Sequence, residues 1–384
     1  MKTFAKLVTF WSVVLAAITV SAASPQATDV SQKSKPATVK VLLHRQASEA
    51  ILEAKGRYEI YYPLDDTKVS SGINSKRHPI TVGEYGLKWG EDFKGYHQLR
   101  FVPIDTQSSL LVNGIQYKGC IEVWSNDGKL NIINEVGVEP YLKSTLSSSF
   151  VQPLHEEVMN AVAIVARTNA YFIGSRNKQS AWHVIASEVG YQGASLLPKK
   201  HIDRAVDVTY QTILTFNDAP FAATWTQNSA GKTVDFAAVF RKALSTPPGV
   251  AAPIAAKGRE QSKWTCSLPK TLLAQATDLP HVSGVDLYVT PQADKVYAVK
   301  VTGETQVKDF DFTTFQRIVG PQKLRSNDFT VETKGEEIVF TGFGEGPGVG
   351  LCIYSAKAQA EKGEKAPQIL EAFFPQTKLE KVKS

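Results

Sequence analysis

Residues Glu156 to Phe172, EEVMNAVAIVARTNAYF, constrain the fold of this chain more than any other stretch: no Gly or Pro interrupts them, and nearly every residue is a helix former or a core filler. Val158, Met159, Ala161, Val162, Ala163, Ile164, Val165, Ala166 and Ala170 cover almost the whole circumference of a helix. That is the pattern of a helix enclosed by other elements. The polar exceptions Glu156, Asn160 and Arg167 stand at i, i+4 and i+11 and share one narrow stripe, which predicts a polar cleft along that side. A guanidinium in so apolar a helix needs an acceptor or a path to water. Arg167 therefore reads either as a structural ion pair or snorkelling side chain, or as a donor aimed at an anionic or polyhydroxylated ligand.

Most of what precedes this helix reads as strand. From Thr38 to about residue 135, runs such as TVKVLLH, GRYEIYYPL and QLRFVPI alternate β-branched and polar residues between Gly, Asn and Asp turns. Within SNDGKL, Asp127-Gly128 is a strong hairpin signal. Residues 24–37, SPQATDVSQKSKPA, are polar and aperiodic and predict a flexible leader. Ahead of them, Lys2 and Lys6 precede an apolar run from Leu7 to Val20 and small residues at Ala22 and Ala23. This is the layout of a secretory signal peptide over 1–23, since its apolar run falls short of the roughly 20 residues that span a bilayer. The expectation is an exported protein of the periplasm or cell envelope, with no membrane span after signal cleavage.

A chain of 384 residues, 43% hydrophobic and 10% aromatic, can bury one large or two modest cores. Its net charge of +6 is spread along the sequence rather than gathered into a block. No nucleic-acid module accompanies it, so an anionic envelope polymer is a sufficient partner and nucleic acid is not expected. Cys120, Cys266 and Cys352 lie far apart and form no CxxC or Cys/His metal spacing. No metal or cofactor is predicted, and the thiols fit either one disulfide with an odd cysteine or three buried small hydrophobes.

The run EVMNAVAIVARTNAY resembles the signature helix of the SpoIID/LytB family of bacterial cell-wall proteins, in which EALKAQAVAARTYA is typical. Further resemblances follow in family order. Tyr117, Gly119, Asn134, Glu139, Tyr141 and Leu142 fall on recurrent positions ahead of the helix, and Ser229, Ala230, Gly231, Lys232 and Thr233 take the place of an SGG-x-T loop. Phe315, Arg317, Gly320, Leu324, Arg325, Ser326 and Phe329 match a later FR-x-x-LG…LRS-x-x-F segment. GFGEGPGVGLCIYSA resembles the closing glycine loop, with Glu345 and Pro347 at its Trp and His positions and Cys352 and Ile353 at its Ser and Gln.

Family members act on peptidoglycan: some are lytic transglycosylases cutting glycan strands stripped of peptides by an amidase, and others are amidase enhancers. Glycosidic cleavage needs a carboxylic acid to protonate the departing oxygen. The family's Glu sits in a GEMP-like turn eighteen residues before the Arg of its ART motif, a position held here by Ser149. Serine cannot deliver a proton at working pH. Glu156 or Glu157 could substitute, although the helix dipole favours their ionised form and they also fit plain charge complementarity.

The resemblance implies a glycan-binding set of Arg167, Tyr141, Asn160, Ser229, Gly231, Lys232, Thr233, Arg325, Ser326, Gly346, Gly348, Gly350 and Tyr354. The glycines would allow a ligand close to the backbone; the Ser229 loop also fits an ordinary turn, and Arg325 and Ser326 a helix cap. The expected fold is α+β, with β-rich antiparallel sheets around one buried central helix and a groove between two subdomains. Its parts are a β-rich part over 38–135, a SpoIID-like core over 136–240 and a C-terminal α+β part over 241–384. The expected function is recognition of peptidoglycan glycan strands, denuded by an amidase, in remodelling or division. Two alternatives are an active transglycosylase using Glu156 or Glu157, and a non-catalytic accessory protein for an N-acetylmuramyl-L-alanine amidase or a division complex.

Overall fold

The computed structural model describes residues 37–176, 179–194, 199–291 and 295–382. The signal-peptide reading of 1–23 and nearly all of the leader, 24–36, lie outside them. The fold is α+β with several antiparallel sheets, as the sequence predicts.

Among the described residues, the N-terminal region forms two sheets. In the first, Thr38–Ala47, Lys129–Gly137, Cys120–Asn126, Gln98–Pro103, Tyr58–Tyr62 and Thr67–Gly72 follow one another in antiparallel register, and the short strand Val184–Ile185 adds in parallel at one edge. Asp127 and Gly128 both take positive φ, and Asn126 faces Lys129 across the turn, the left-handed pair that a tight hairpin requires. In the second sheet Glu49–Lys55 pairs with Lys76–Gly83 and Ser109–Val112. Trp89 fastens the two sheets together. Its ring stands edge-on to Tyr58 and Phe101 of the first sheet, at 5.5 and 5.1 Å, and its indole N–H donates to Leu52 O at 2.9 Å, so this large buried surface leaves no polar atom unsatisfied.

Helix α1 (Val138–Ser149) leaves the last strand directly, and α2 (Glu156–Arg176) carries the signature run. Val158, Val162 and Val165 in α2 are fully buried, each contributing about 1.5–3 kcal/mol by leaving water. The enclosure is more helical than the sequence suggests. Around α2 pack α1, α4 (Lys200–Val208), the helices Ile353–Glu361 and Ala366–Phe373, and the strands Thr212–Thr215 and Thr38–Ala47. Thr168 ties one of these strands to the helix by accepting from Leu214 N at 2.9 Å. Between α2 and α4 in the chain, Ala186–Val189 form a single helical turn, α3.

Residues 264–340 build a second hydrophobic core of their own, from Trp264, Leu268, Val296, Phe312, Phe315 and Phe340 among others. The chain then returns: Leu351, Ile353, Ala356, Ile369 and Phe373 are buried in the first core, and the strand Leu351–Cys352 pairs in parallel with Trp225–Thr226. The three cysteines are free thiols, and Cys266 and Cys352 are buried.

Candidate functional site

Arg167 does not face a cleft. It is wholly buried, and its five N–H donors meet five acceptors. Nε donates to Glu139 Oε1 at 2.9 Å and Nη2 to Glu139 Oε2 at 2.8 Å; Nη2 also reaches Val206 O, and Nη1 reaches Thr209 Oγ1 and Thr212 O. The guanidinium thus pins α2 to α1, to α4 and to the following strand. Its assignment to ligand binding is corrected to the structural ion pair, because no donor remains for a sugar.

The carboxylates at the start of α2 are also committed elsewhere. Glu156 pairs with Arg204 of α4 at 3.0 Å. Glu157 accepts from Ala366 N at 2.9 Å and Lys365 Nζ at 3.3 Å, at the head of the helix Ala366–Phe373. Burial pushes the Glu157 carboxyl up, but these donors outweigh it and hold it below the ordinary value, opposite to what a general acid needs. Neither residue lines the cleft described next, whose nearest α2 residue, Ala166, lies about 15 Å along the helix from Glu156 at ~1.5 Å per residue. Asn160 is buried too and is not a lining residue. The substitute-acid reading of Glu156 and Glu157 therefore fails on geometry.

The cleft itself is open, has a volume of about 920 Å³, and runs between α1, the C-terminal half of α2 and the segment 222–244. Ser149, exposed at the end of α1, lines it, with its hydroxyl turned back to Thr145 O at 3.0 Å. Tyr141 also borders it, but only by an edge: the ring is 7% exposed and stacks on Tyr191 with centroids 5.8 Å apart. Tyr191 in turn packs near Tyr117 and donates its hydroxyl to Asn134 Oδ1 at 2.6 Å, while Asn134 Nδ2 reaches Lys118 O and Cys120 O. Burial pushes the phenols of Tyr117 and Tyr141 up to about 12. These motif positions form a neutral scaffold behind the cleft wall.

The remaining expected residues meet one another at a junction away from this cleft. Ser229 is buried, its N–H donates to Cys352 Sγ at 3.4 Å, and its carbonyl accepts from the buried Lys295 at 2.8 Å. Lys232 pairs with Ala251, and Thr233 Oγ1 accepts from Val250 N. Arg325 pairs with Glu345 at 2.8 Å, and the Ser326 hydroxyl donates to Phe343 O at 2.6 Å. A Cβ on Gly346 or Gly350 would stand 2.6 Å from Thr226 Oγ1 or 2.1 Å from Thr224 O, and one on Gly348 would press on Asn327 and Lys295. Gly231 likewise has its φ at 117° against Ala256. The glycines admit close approach, but what approaches is the chain itself, backbone at Gly350 and side chains at Gly346 and Gly348. Tyr354 is partly exposed, and its N–H donates to Gln227 O in the same junction. None of these residues lines the cleft, and their placement on a common ligand surface with Arg167 is corrected accordingly.

Other side chains supply the cleft's chemistry. Asn169, Phe172 and Arg176 line it from one face of α2, at i, i+3 and i+7, a spacing legible in the sequence but overshadowed by Arg167. Trp225 and Phe236 add aromatic surface opposite, and Lys242 and His183 complete the polar lining. Glu188, on the turn α3, is the one carboxylate among the described lining residues. Arg176 and Lys242 are exposed, so cations outnumber anions in a cleft open to solvent, the balance that attracts an anionic partner.

Residues 126–216, which hold the hairpin, α1, α2 and α4, match the family model of SpoIID, stage II sporulation protein. An uncharacterized protein of Chlamydia pneumoniae is 35% identical over 179 residues, covering 46% of this chain and 65% of that protein. One from Chlamydia muridarum is 34% identical over 180 residues, covering 46% and 62%. The chain thus matches less than two thirds of the length of these two relatives. Stage II sporulation protein D of Bacillus subtilis is 26% identical over 277 residues, covering 64% of this chain and 75% of that protein. Glu139, Ser149 and Arg167 all lie inside the segment that the SpoIID family model matches.

Proposed function

We propose that this protein is exported and binds peptidoglycan glycan strands along the cleft between α1 and α2, in cell-wall remodelling or division. The match of residues 126–216 to the SpoIID family model, with the similarity to stage II sporulation protein D of Bacillus subtilis, supports a cell-wall-related role. The observation that carries the finer reading is the lining: Trp225, Phe172 and Phe236 bring aromatic surface for sugar rings, while Asn169, Arg176 and Lys242 bring donors for their substituents. A strand denuded by an N-acetylmuramyl-L-alanine amidase bears free lactyl carboxylates, which suit the two cations. That enzyme is the partner we propose, as the source of the ligand.

Ser149 argues for binding without the cutting that the family's own acid performs, because a hydroxyl at the cleft end of α1 is too weak an acid to protonate a leaving oxygen. The test is sedimentation of the full chain with sacculi, before and after amidase treatment. Co-sedimentation that increases after treatment is expected; a chain that stays in the supernatant in both cases overturns the proposal.

A further inference from the structure

We infer that the folded chain joins Lys295 to Asn327 by an isopeptide bond, with Asp328 as the base that makes the amine reactive. The inference is independent of the glycan-binding reading and concerns the second core.

Three buried polar side chains meet here. Lys295 is almost wholly enclosed, and its Nζ donates to Ser229 O and to Asp328 Oδ2, each at 2.8 Å. Burial pushes this ammonium below its ordinary value, although Asp328 pulls the other way, so the neutral amine is easier to reach than in an exposed lysine. Asn327 is completely buried, yet neither its carboxamide oxygen nor its nitrogen finds a partner among the described residues, an unfavourable state for an amide away from water. Its backbone lies beside that of the lysine: Val296 N donates to Asn327 O at 2.7 Å. The two side chains also border one point. A Cβ on Gly348 would stand 3.1 Å from Asn327 Oδ1 and 3.1 Å from Lys295 Cε, so those two atoms are at most twice that distance apart, across a place where glycine carries only hydrogen. Arg259 holds the third member still: it donates to both oxygens of Asp328 at 2.8 Å, which keeps the carboxylate charged and fixed against Nζ.

Asp328 takes one proton from the Lys295 ammonium, and Nζ turns about the Cδ–Cε bond from Ser229 O toward the carboxamide. The amine lone pair bonds to Asn327 Cγ. A second proton passes from Nζ to Nδ2, the Cγ–Nδ2 bond breaks, and ammonia leaves, carrying off as ammonium the proton that Asp328 held. No atom is oxidised or reduced, and no co-reactant is consumed. Condensation removes two unfavourable features at once, since a neutral amide replaces a buried cation and the unpartnered Nδ2 departs. Neighbouring backbones make the step intramolecular, which is what lets so unreactive an amide be attacked. Lys295 leads into Val296–Thr302 and Asn327 into Phe329–Lys334, strands of two different sheets of the second core. The bond therefore staples those sheets together without a thiol.

The test is peptide mapping of the folded full chain with trypsin and mass spectrometry. Wild type is expected to give Thr271–Lys300, uncut at Lys295, joined to Ser326–Lys334 and lighter than the two together by one ammonia. Asn327→Leu should abolish the joined species and restore cleavage at Lys295. In chain purified unfolded and then refolded, Asp328→Asn should slow its appearance by about 10²- to 10⁴-fold; should that variant fail to fold, the wild-type map decides. Separate peptides from wild type overturn the inference, and so does an ammonia lost within Ser326–Lys334 alone, as a cyclic imide at Asn327 would give. A joined species that persists in Asn327→Leu overturns the assignment to Asn327, and an unchanged rate in Asp328→Asn overturns the role of Asp328.

Discussion

The guanidinium of Arg167 is forked onto the carboxylate of Glu139, with contacts of 2.9 and 2.8 Å, across 28 residues of sequence. Both residues fall on positions of the family resemblance, and they satisfy one another. The pair closes the angle between α1 and α2, and hence the wall from which Ser149, Asn169 and Arg176 project.

Arg167→Ala leaves Glu139, whose side chain is only 20% exposed, with no cation, and should cost about 3–5 kcal/mol of stability. Arg167→Lys keeps the charge but not the fork and should fall between the two. Urea midpoints at constant slope measure this. Because the pair is structural, the folded fraction of Arg167→Lys should still sediment with sacculi. A variant of wild-type midpoint that fails to sediment would return Arg167 to ligand binding.

The glycine loop separates backbone conformation from close approach. Gly363 and Gly350 both take positive φ, 92° and 75°, but a Cβ on Gly363 meets open space, while one on Gly350 lands 2.1 Å from Thr224 O. Gly363→Ala should cost about 1–2 kcal/mol for the left-handed backbone alone. Gly350→Ala adds displacement of the paired strand Trp225–Thr226 and should cost about 3 kcal/mol or more. Thermal unfolding of the two variants compares them directly; equal costs would show that the junction yields freely.

The buried helix, the Asp127-Gly128 hairpin and the α+β class were legible because each is written locally, in periodicity or in turn chemistry. The site was less so. Periodicity marks Arg167 as a polar residue in an apolar setting, but Glu139, its partner, is an ordinary acid in the first turn of another helix, and only the tertiary fold brings them together. The closing glycines betray close approach without saying to what, and in this fold the answer is residues 224–230 for Gly344, Gly346 and Gly350 and Asn327 with Lys295 for Gly348. Cleft residues Trp225, Lys242 and Glu188 sit in segments without periodicity, where sequence carries no sign of direction. The second core over 264–340 lies in sequence between two strands, Trp225–Thr226 and Leu351–Cys352, that pair in parallel, a partnership that no local pattern marks.

Glu157 links stability to pH. Its folded pKa lies below the ordinary 4.5, so between the two values the unfolded chain binds more protons than the native one, and stability falls as pH drops through that window. The contribution is complete above about 4.5 and lost once pH passes below the folded value. Glu157→Gln should reduce stability at pH 7 by about 0.5–2 kcal/mol, the range of a lost helix cap, and should flatten the pH dependence of the midpoint below pH 4.5. An unchanged acid limb would mean that the bonds to Ala366 and Lys365 do not hold in solution.

Arg176 and Lys242 set the expected salt dependence of binding. Both are exposed on the cleft, so each pair they form with a ligand carboxylate contributes no more than about 1 kcal/mol and is screened over the ~10 Å Debye length of 0.1 M salt. The Arg176→Ala/Lys242→Ala variant should therefore bind amidase-treated sacculi about 3- to 30-fold more weakly at low ionic strength. Its remaining affinity comes from Trp225, Phe172 and Phe236, whose apolar contacts salt does not weaken. Wild type and variant should accordingly converge as salt is raised, because only the wild type has an ionic contribution to lose. Parallel salt curves would place the ionic contacts elsewhere on the protein. With neither cation tied into the core, unfolding midpoints should stay within about 0.5 kcal/mol of wild type, so that a loss of binding is read as a loss of contact and not of fold.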